Sequence, residues 1–233
     1  MKSRKMMMAV LVTAVFILFT VLIRVVDVQP IGPAESEVGL AALNQGAQRA
    51  IGTNPGWEHI SEILGIIGIL TGCAMVLLGL WQWISRKSLK KVDQGFFVLG
   101  ALYAVMIICW KGFDWLAINY RPLLVNNVLE PSYPSTHTML AIIFFGSAIP
   151  FIVTYTGHKT LRNLMVILAV CAMVMTVLSR LLAGVHWLTD IVGSILLSAA
   201  MLLWFSVALD RIKKERLRSP MTTPMSEHRS GTS

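Results

Sequence analysis

Six stretches of the chain contain no charged side chain, and they constrain the fold more than any other feature of the sequence. They are Met6–Ile23, Ile63–Ser85, Gln94–Trp110, Met139–Tyr155, Leu164–Ser179 and Ile191–Leu209. Their lengths bracket the ~20 residues that a helix needs to cross ~30 Å of hydrocarbon. Because a backbone in lipid must satisfy its own hydrogen bonds, helices are the expected form. The sequence therefore predicts an all-α fold, a bundle of six transmembrane helices.

The composition argues against the other classes of protein. Only 14% of the residues are charged, against roughly 25% in soluble domains. The cysteines Cys73, Cys109 and Cys171 all lie inside apolar runs without partners at metal-binding spacing, which favours a packing role over a disulfide or zinc site. No metal or cofactor is predicted.

One membrane domain is expected over residues 1–218, followed by a disordered tail over 219–233 that is rich in Ser, Thr and Pro. The first run is expected to be a retained anchor rather than a cleaved signal peptide, because no small-residue cleavage pattern follows it. The third run is expected to extend until Lys111 and Asp114 lie on its helix. The segment 25–61 is predicted to contain a short interfacial helix from Glu37 to Ile51, with no assigned role.

The basic residues predict the topology. The termini and the loops after the second and fourth runs contain 15 of the 20 lysines and arginines. By the positive-inside rule, both termini are cytoplasmic and the loops after the first, third and fifth runs face outward in the cell membrane. The net charge of +8 is therefore mostly a consequence of the topology, and the basic tail is expected to lie in solvent near anionic lipid headgroups rather than to bind nucleic acid.

Ionisable side chains gather at the outward ends of the predicted helices, where they are costly and favour a functional interpretation. His186 and Asp190 are four residues apart and would share a face if they begin the sixth helix. Arg180 offers planar donors that match two phosphate oxygens. The alternative is that His186 and Asp190 form an ordinary pair at the membrane boundary, with Arg180 extending its side chain toward the interface.

A second group begins the fourth predicted helix. Ser135 or Thr136 is suited to cap that helix, whose first turn would offer free N–H groups to an anion. His137 lies beside it as a candidate proton donor. A capped turn without catalytic function is the alternative.

A third group follows the third predicted helix. On a continuous helix, Asp114 and Arg121 would share a face, with Lys111 one turn before Asp114. Lys111 and Asp114 alone would also fit a plain interfacial ion pair.

Together these residues resemble the three signature motifs of the type-2 phosphatidic acid phosphatase superfamily, membrane lipid phosphatases related in fold to vanadium haloperoxidases. Ser179, Arg180, His186 and Asp190 match the third motif in full. Pro134, Ser135 and His137 match the second, with Thr136 where glycine is commonest.

The first motif departs from the family pattern. Arg121 and Pro122 fit, but Asp114 occupies the position of the usual lysine. Either Lys111 replaces that lysine from one turn away, or this subgroup works without it.

The resemblance implies a role for each matching residue. His186 would attack phosphorus and form a phosphohistidine, Asp190 would orient it, and His137 would protonate the leaving oxygen. Arg121, Arg180, Ser135 and the Thr136–His137 amides would bind the phosphoryl oxygens, with Lys111 as a further candidate. No metal is implied.

The expected activity is hydrolysis of a lipid phosphate at the outer face of the membrane. Undecaprenyl diphosphate, phosphatidic acid and phosphatidylglycerol phosphate all fit the motifs. A lipid phosphotransferase using the same site and a non-catalytic lipid-binding or transport protein are the alternatives.

Overall fold

The structure is a computed structural model that describes residues 2–124 and 127–218. Its helices are α1 (Lys2–Val25), α2 (Ala41–Ile51), α3 (Pro55–Arg86), α4 (Gln94–Leu116), α5 (Thr136–Tyr155), α6 (Lys159–Ala183) and α7 (Leu188–Arg218). All of them except α2 are long and apolar enough to cross a bilayer. The predicted all-α bundle of six membrane helices is confirmed. The tail predicted over 219–233 lies outside the described residues.

The spanning helices contain the six uncharged runs and extend beyond most of them. Helix α4 continues to Leu116 and includes Lys111 and Asp114, as the sequence predicts. The residue that caps its end is Ala117, whose φ of 42° is left-handed. The expectation that Arg121 shares a helical face with Asp114 is therefore wrong, because Arg121 follows the end of the helix.

Helix α5 packs against α3, α6 and α7, and α1 packs along α7. Glycines on α3 allow the close approach of α5, as small residues do between membrane helices. A Cβ added at Gly72 would lie 2.5 Å from the ring of Phe144, and one at Gly68 would lie 3.5 Å from the ring of Phe145. Both glycines thus allow α5 to pack closely against α3.

The segment between α1 and α3 folds back over one end of the bundle. Val38 forms an isolated antiparallel bridge with Gln29, and Leu40 has a left-handed φ of 50°. Helix α2 therefore begins at Ala41 rather than at Glu37, while its end at Ile51 is as predicted. Helix α2 packs against α7.

The motif residues lie at one end of the bundle. This end contains the start of α3, the end of α4, the start of α5, the end of α6 and the start of α7. The basic loops around residues 86–91 and 158–162 connect helices at the opposite end. Motifs and basic loops are therefore separated by the length of the spanning helices.

Candidate active site

Three chain segments form the site, and backbone hydrogen bonds join them. The segment after α4 pairs with the one before α5, because Arg121 N donates to Glu130 O at 3.0 Å and Ser132 N donates to Asn119 O at 2.8 Å. Ser135 N donates to Asp190 O at 3.2 Å, which connects the start of α5 to α7. All three predicted motifs therefore meet in one place.

His186 lies in the turn between α6 and α7. It precedes the first residue of α7, Leu188, so the expectation that His186 and Asp190 share a helical face is wrong. The turn begins at Gly184, whose φ of 68° is left-handed and whose Cβ would lie 2.0 Å from the Gly52 carbonyl oxygen. The His186 side chain is only 2% exposed. The turn, rather than a helical repeat, brings its ring to Asp190.

The two ring nitrogens of His186 face groups of opposite charge. Nδ1 is 3.5 Å from Asp190 Oδ2, and Nε2 is 3.3 Å from Arg180 Nη2. A guanidinium can only donate hydrogen bonds, so Nε2 accepts and the ring proton belongs on Nδ1. Burial, together with the charges of Arg180 and Arg121, lowers the pKa of His186 well below its usual value. The imidazole is therefore neutral at neutral pH, with Nε2 unprotonated.

Asp190 is fully buried and has two roles at the start of α7. Its Oδ2 accepts a hydrogen bond from Trp187 N at 3.0 Å, the reciprocal half of a capping box. Its Oδ1 accepts one from Asn119 Nδ2 at 3.3 Å. The carboxylate is thus held by the helix start on one side and by the segment after α4 on the other.

The arginines of the first and third motifs are held differently. Arg180 is only 2% exposed, and its Nη1 donates to Ser61 Oγ on α3 at 3.1 Å. Arg121 Nε lies 3.2 Å from Glu130 Oε2 in a partly exposed ion pair. Both arginines act electrostatically on His186. The site therefore has two cations, a fully buried one bonded to α3 and a partly exposed one paired with Glu130.

The start of α5 presents polar groups toward the same place. Ser135 is the N-cap, as the sequence allowed, although its hydroxyl makes no capping bond. Within the described residues, Ser135 Oγ, His137 Nδ1 and Arg180 Nε are buried without a hydrogen-bond partner. The N–H groups of the first helical turn also lack partners within the helix. Donors of this kind at a helix N-terminus form an anion site.

The His137 ring packs against α3. A Cβ added at Gly65 would lie 3.2 Å from His137 Cδ2, so the glycine leaves room for the ring. Arg180, His186 and Arg121 all lie close enough to interact electrostatically with His137. His137 thus belongs to the same cluster of ionisable residues as the other motif residues.

The Lys111 side chain pairs with an acidic residue on its own helix, α4. Its Nζ lies 3.5 Å from Asp114 Oδ2, and both side chains are largely exposed. The Nζ also lies 4.4 Å from the centre of the Trp110 ring. This is the interfacial ion pair that the sequence analysis kept as an alternative, and phosphate binding by Lys111 stays a prediction.

Several buried polar residues around the motifs escaped the sequence analysis: Asn44, Ser61, Asn119, Ser132 and Thr189. Their common signal is a small polar side chain in or beside an apolar stretch, which is too frequent in membrane helices to identify them. Among the described residues, no group of three or more His, Cys, Asp or Glu side chains could hold a metal ion.

The chain resembles known proteins in its family and in its fold. Residues 100–214 match the family model of the PAP2 superfamily. A search of curated proteins found no match. The fold is similar to the crystal structure described as the first transmembrane PAP2 type phosphatidylglycerolphosphate phosphatase from Bacillus subtilis. The TM-score is 0.62 and the identity 19%, over 90% of this chain and 98% of that one. The chain is a multi-pass membrane protein, and its residues 100–214 form a PAP2 superfamily domain.

Proposed function

We propose that the chain is a membrane lipid phosphatase that hydrolyses a phosphate monoester or diphosphate through a phosphohistidine. One observation supports this most directly: His186 presents an unprotonated Nε2 toward Arg180 while its Nδ1 faces Asp190. A neutral imidazole oriented by a carboxylate is a competent nucleophile. The adjacent guanidinium is suited to bind the oxygens of the group under attack.

In the first half-reaction, His186 Nε2 attacks phosphorus and the bond from phosphorus to the leaving oxygen breaks. His137 donates a proton to that oxygen, which leaves as the lipid alcohol or the lipid monophosphate. Asp190 stabilises the positive charge that forms on the imidazole. In the second half-reaction, His137 accepts a proton from water as the water attacks the phosphohistidine. Inorganic phosphate leaves, and His186 returns to its neutral form.

The negative charge of the phosphoryl oxygens is stabilised by groups already in position. Arg180, Arg121, the Ser135 hydroxyl and the N–H groups of Thr136 and His137 are the proposed donors. Such preorganised donors usually make the largest single contribution to catalysis, and positioning with charge stabilisation dominates phosphoryl transfer. No step in this scheme needs a metal ion.

We further propose that the site opens toward the outer leaflet. The motif end of the bundle lies opposite the basic loops at residues 86–91 and 158–162. The positive-inside rule places those loops and both termini in the cytoplasm. The substrate head group would then bind among the arginines while its acyl or isoprenyl chain stays in the bilayer.

The test is phosphate release by purified protein in detergent, in the presence of EDTA. The substrates are undecaprenyl diphosphate, phosphatidic acid and phosphatidylglycerol phosphate, the last being the substrate class named for the similar Bacillus protein. His186→Ala is expected to abolish release. His158→Ala is the control, since His158 precedes α6 at the opposite end and makes no side-chain capping bond.

Phosphate release that needs His186 and survives EDTA would support the proposal, and the ranking of substrates would identify the preferred lipid. Adding a lipid acceptor distinguishes the phosphotransferase, which would form a phosphorylated acceptor in place of free phosphate. No release from any substrate would refute the proposal and favour a lipid-binding protein.

A further inference from the structure

Three fully buried polar side chains beside the site have no role in the proposed reaction. Asn44 lies on α2, Asn119 follows α4, and Thr189 is in the first turn of α7. They come from parts of the chain that are distant in sequence but meet behind the Asp190 carboxylate. A buried network of polar groups whose hydrogen bonds are satisfied specifies a unique arrangement.

Backbone groups fix the orientation of both amides. Gly39 N donates to Asn119 Oδ1 at 3.2 Å, so the Asn119 oxygen faces Gly39 and its NH₂ group faces Asp190. Asn44 Oδ1 accepts from Thr189 N at 3.1 Å, and Asn44 Nδ2 donates to Gly39 O at 2.9 Å. If either amide were flipped, its NH₂ group would face a backbone N–H group, and two donors would meet.

Gly39 itself is held in place by close packing. A Cβ at this position would lie 1.6 Å from the Ile23 carbonyl oxygen near the end of α1. Only glycine allows this approach, so the backbone groups that orient the two amides have little freedom to move.

Thr189 joins the two amides next to the carboxylate. Its Oγ1 accepts from Asn44 Nδ2 at 2.9 Å and from Asn119 Nδ2 at 3.4 Å. Asn119 Nδ2 also donates to Asp190 Oδ1 at 3.3 Å. A continuous path of hydrogen bonds therefore runs from α2 to the carboxylate that faces His186.

We propose that Asn119 is a positioning residue for phosphoryl transfer, held by Gly39 and joined through Thr189 to Asn44. It fixes one carboxylate oxygen of Asp190 so that the other faces His186 Nδ1. The segment between α1 and α3 thereby becomes part of the catalytic apparatus through α2. This inference rests on the proposed phosphatase function, because it assigns Asp190 to the orientation of His186.

The main test replaces the Asn119 donor without changing the side-chain volume. Asn119→Asp keeps an acceptor for Gly39 N but puts a second carboxyl beside Asp190. We expect kcat to fall ~10–100-fold, as is common when a group that orients a catalytic side chain is changed, with KM within threefold. Gln82→Glu is the matched control, since Gln82 is also buried and donates to Asp93 Oδ2 at 3.0 Å near the opposite ends of the spans. It is expected to keep kcat.

A second pair of variants keeps the test decisive if Asn119→Asp fails to fold. Thr189→Val removes the shared oxygen and should lower kcat, whereas Thr189→Ser retains it and should restore at least half of the wild-type value. Equal kcat in the valine and serine variants would overturn the proposal. So would a similar loss in Gln82→Glu, or an effect of Asn119→Asp on KM alone.

Failure of the inference can be distinguished from failure of the proposed function. Wild-type activity that needs His186 but not Asn119 or Thr189 would refute only the inference. The ¹⁵N chemical shifts of the His186 ring, assigned with His186→Ala, provide a readout that does not depend on turnover. We expect a Nδ1–H tautomer in the wild type and a mixture in Asn119→Asp, and unchanged shifts would contradict the positioning role.

Discussion

Replacement of Asp190 by asparagine tests the centre of the proposed mechanism, because it changes charge and hydrogen bonding with almost no change in shape. The carboxylate accepts from Trp187 N and Asn119 Nδ2, and it faces His186 Nδ1 at 3.5 Å. An asparagine side chain has only one acceptor atom for these donors. Whichever way the amide turns, one buried donor faces another.

The two orientations have different consequences. If the NH₂ group replaces Oδ2, it faces Trp187 N and His186 Nδ1, which favours the wrong tautomer and a protonated nucleophile. If it replaces Oδ1, it faces the Asn119 NH₂ group and leaves a buried donor unsatisfied, at a cost of about 1–3 kcal/mol. The first orientation removes the acceptor for His186 Nδ1, and the second removes the hydrogen bond from Asn119 that fixes the side chain at position 190.

The size of the expected loss in kcat follows from the negative charge that Asp190→Asn removes. A full charge 3.5 Å from the imidazolium is worth about 5 kcal/mol at an effective dielectric constant of about 20. At ~1.4 kcal/mol per factor of ten, this corresponds to a decrease in kcat of roughly 10³-fold, and we expect ~10²–10⁴-fold. The loss should fall on kcat rather than KM, because the imidazole becomes charged only during the reaction.

The assay is steady-state phosphate release from the best substrate of the panel. Asp210→Asn is the control, since Asp210 is on the same helix and pairs with Lys5 at 2.7 Å near the far end of the spans. We expect that variant to keep its activity. An Asp190→Asn protein that remains folded and retains kcat within threefold would refute the orienting role of Asp190.

Three further predictions concern the cations and the nucleophile. Arg121→Ala should raise KM at least tenfold more than Lys111→Ala does, because Arg121 acts on His186 while Lys111 pairs with Asp114; equal effects would restore Lys111 to the phosphate site. Ser61→Ala should raise KM ~10–150-fold, since a hydrogen bond to a charged group is worth ~1.5–3 kcal/mol and Ser61 is the acceptor that holds Arg180 Nη1; an unchanged KM would show that the arginine is held without it. Thermal stability in detergent should decrease as the pH falls below 6.5, because the pKa of His186 is lowered in the folded protein and only the unfolded chain takes up the proton. His186→Ala should reduce this decrease, and an identical decrease in melting temperature between pH 7.5 and 5 in both proteins would contradict the lowered pKa.

The spanning helices and the content of the site could be predicted because their signals are local. An uncharged run of membrane length has few alternatives, and the fourth predicted helix does begin at the Ser135 cap. The motif spacing brought Arg180, His186 and Asp190 together correctly. Each of these inferences depends on residues within a few positions of one another.

The local paths between the helices could not be predicted in the same way. The predictions that Arg121 shares a helical face with Asp114, and His186 with Asp190, were wrong because both extended a helix too far. Ala117 and Gly184 have left-handed conformations that end α4 and α6. Only glycine makes such a conformation easy to expect from sequence. Ala117 carries no such signal.

The partners of Asn44 and Asn119 were also beyond sequence reasoning. Asn44 contacts a residue 145 positions later, and Asn119 contacts one 71 positions later. No periodicity or spacing rule connects residues at such distances. Their meeting depends on how the spanning helices pack, which has to be known first.

The packing of α1 along α7 has a consequence for the order in which the protein matures in the membrane. Ile23 and Phe16 on α1 are buried in the core cluster together with Leu197 and Met201 on α7. Until α7 inserts, the earlier helices lack both this neighbour and the Thr189 and Asp190 groups that Asn44 and Asn119 bind. The candidate site is therefore completed only when α7 inserts, and a chain shortened before α7 would lack both Asp190, the proposed orienting carboxylate, and a closed bundle.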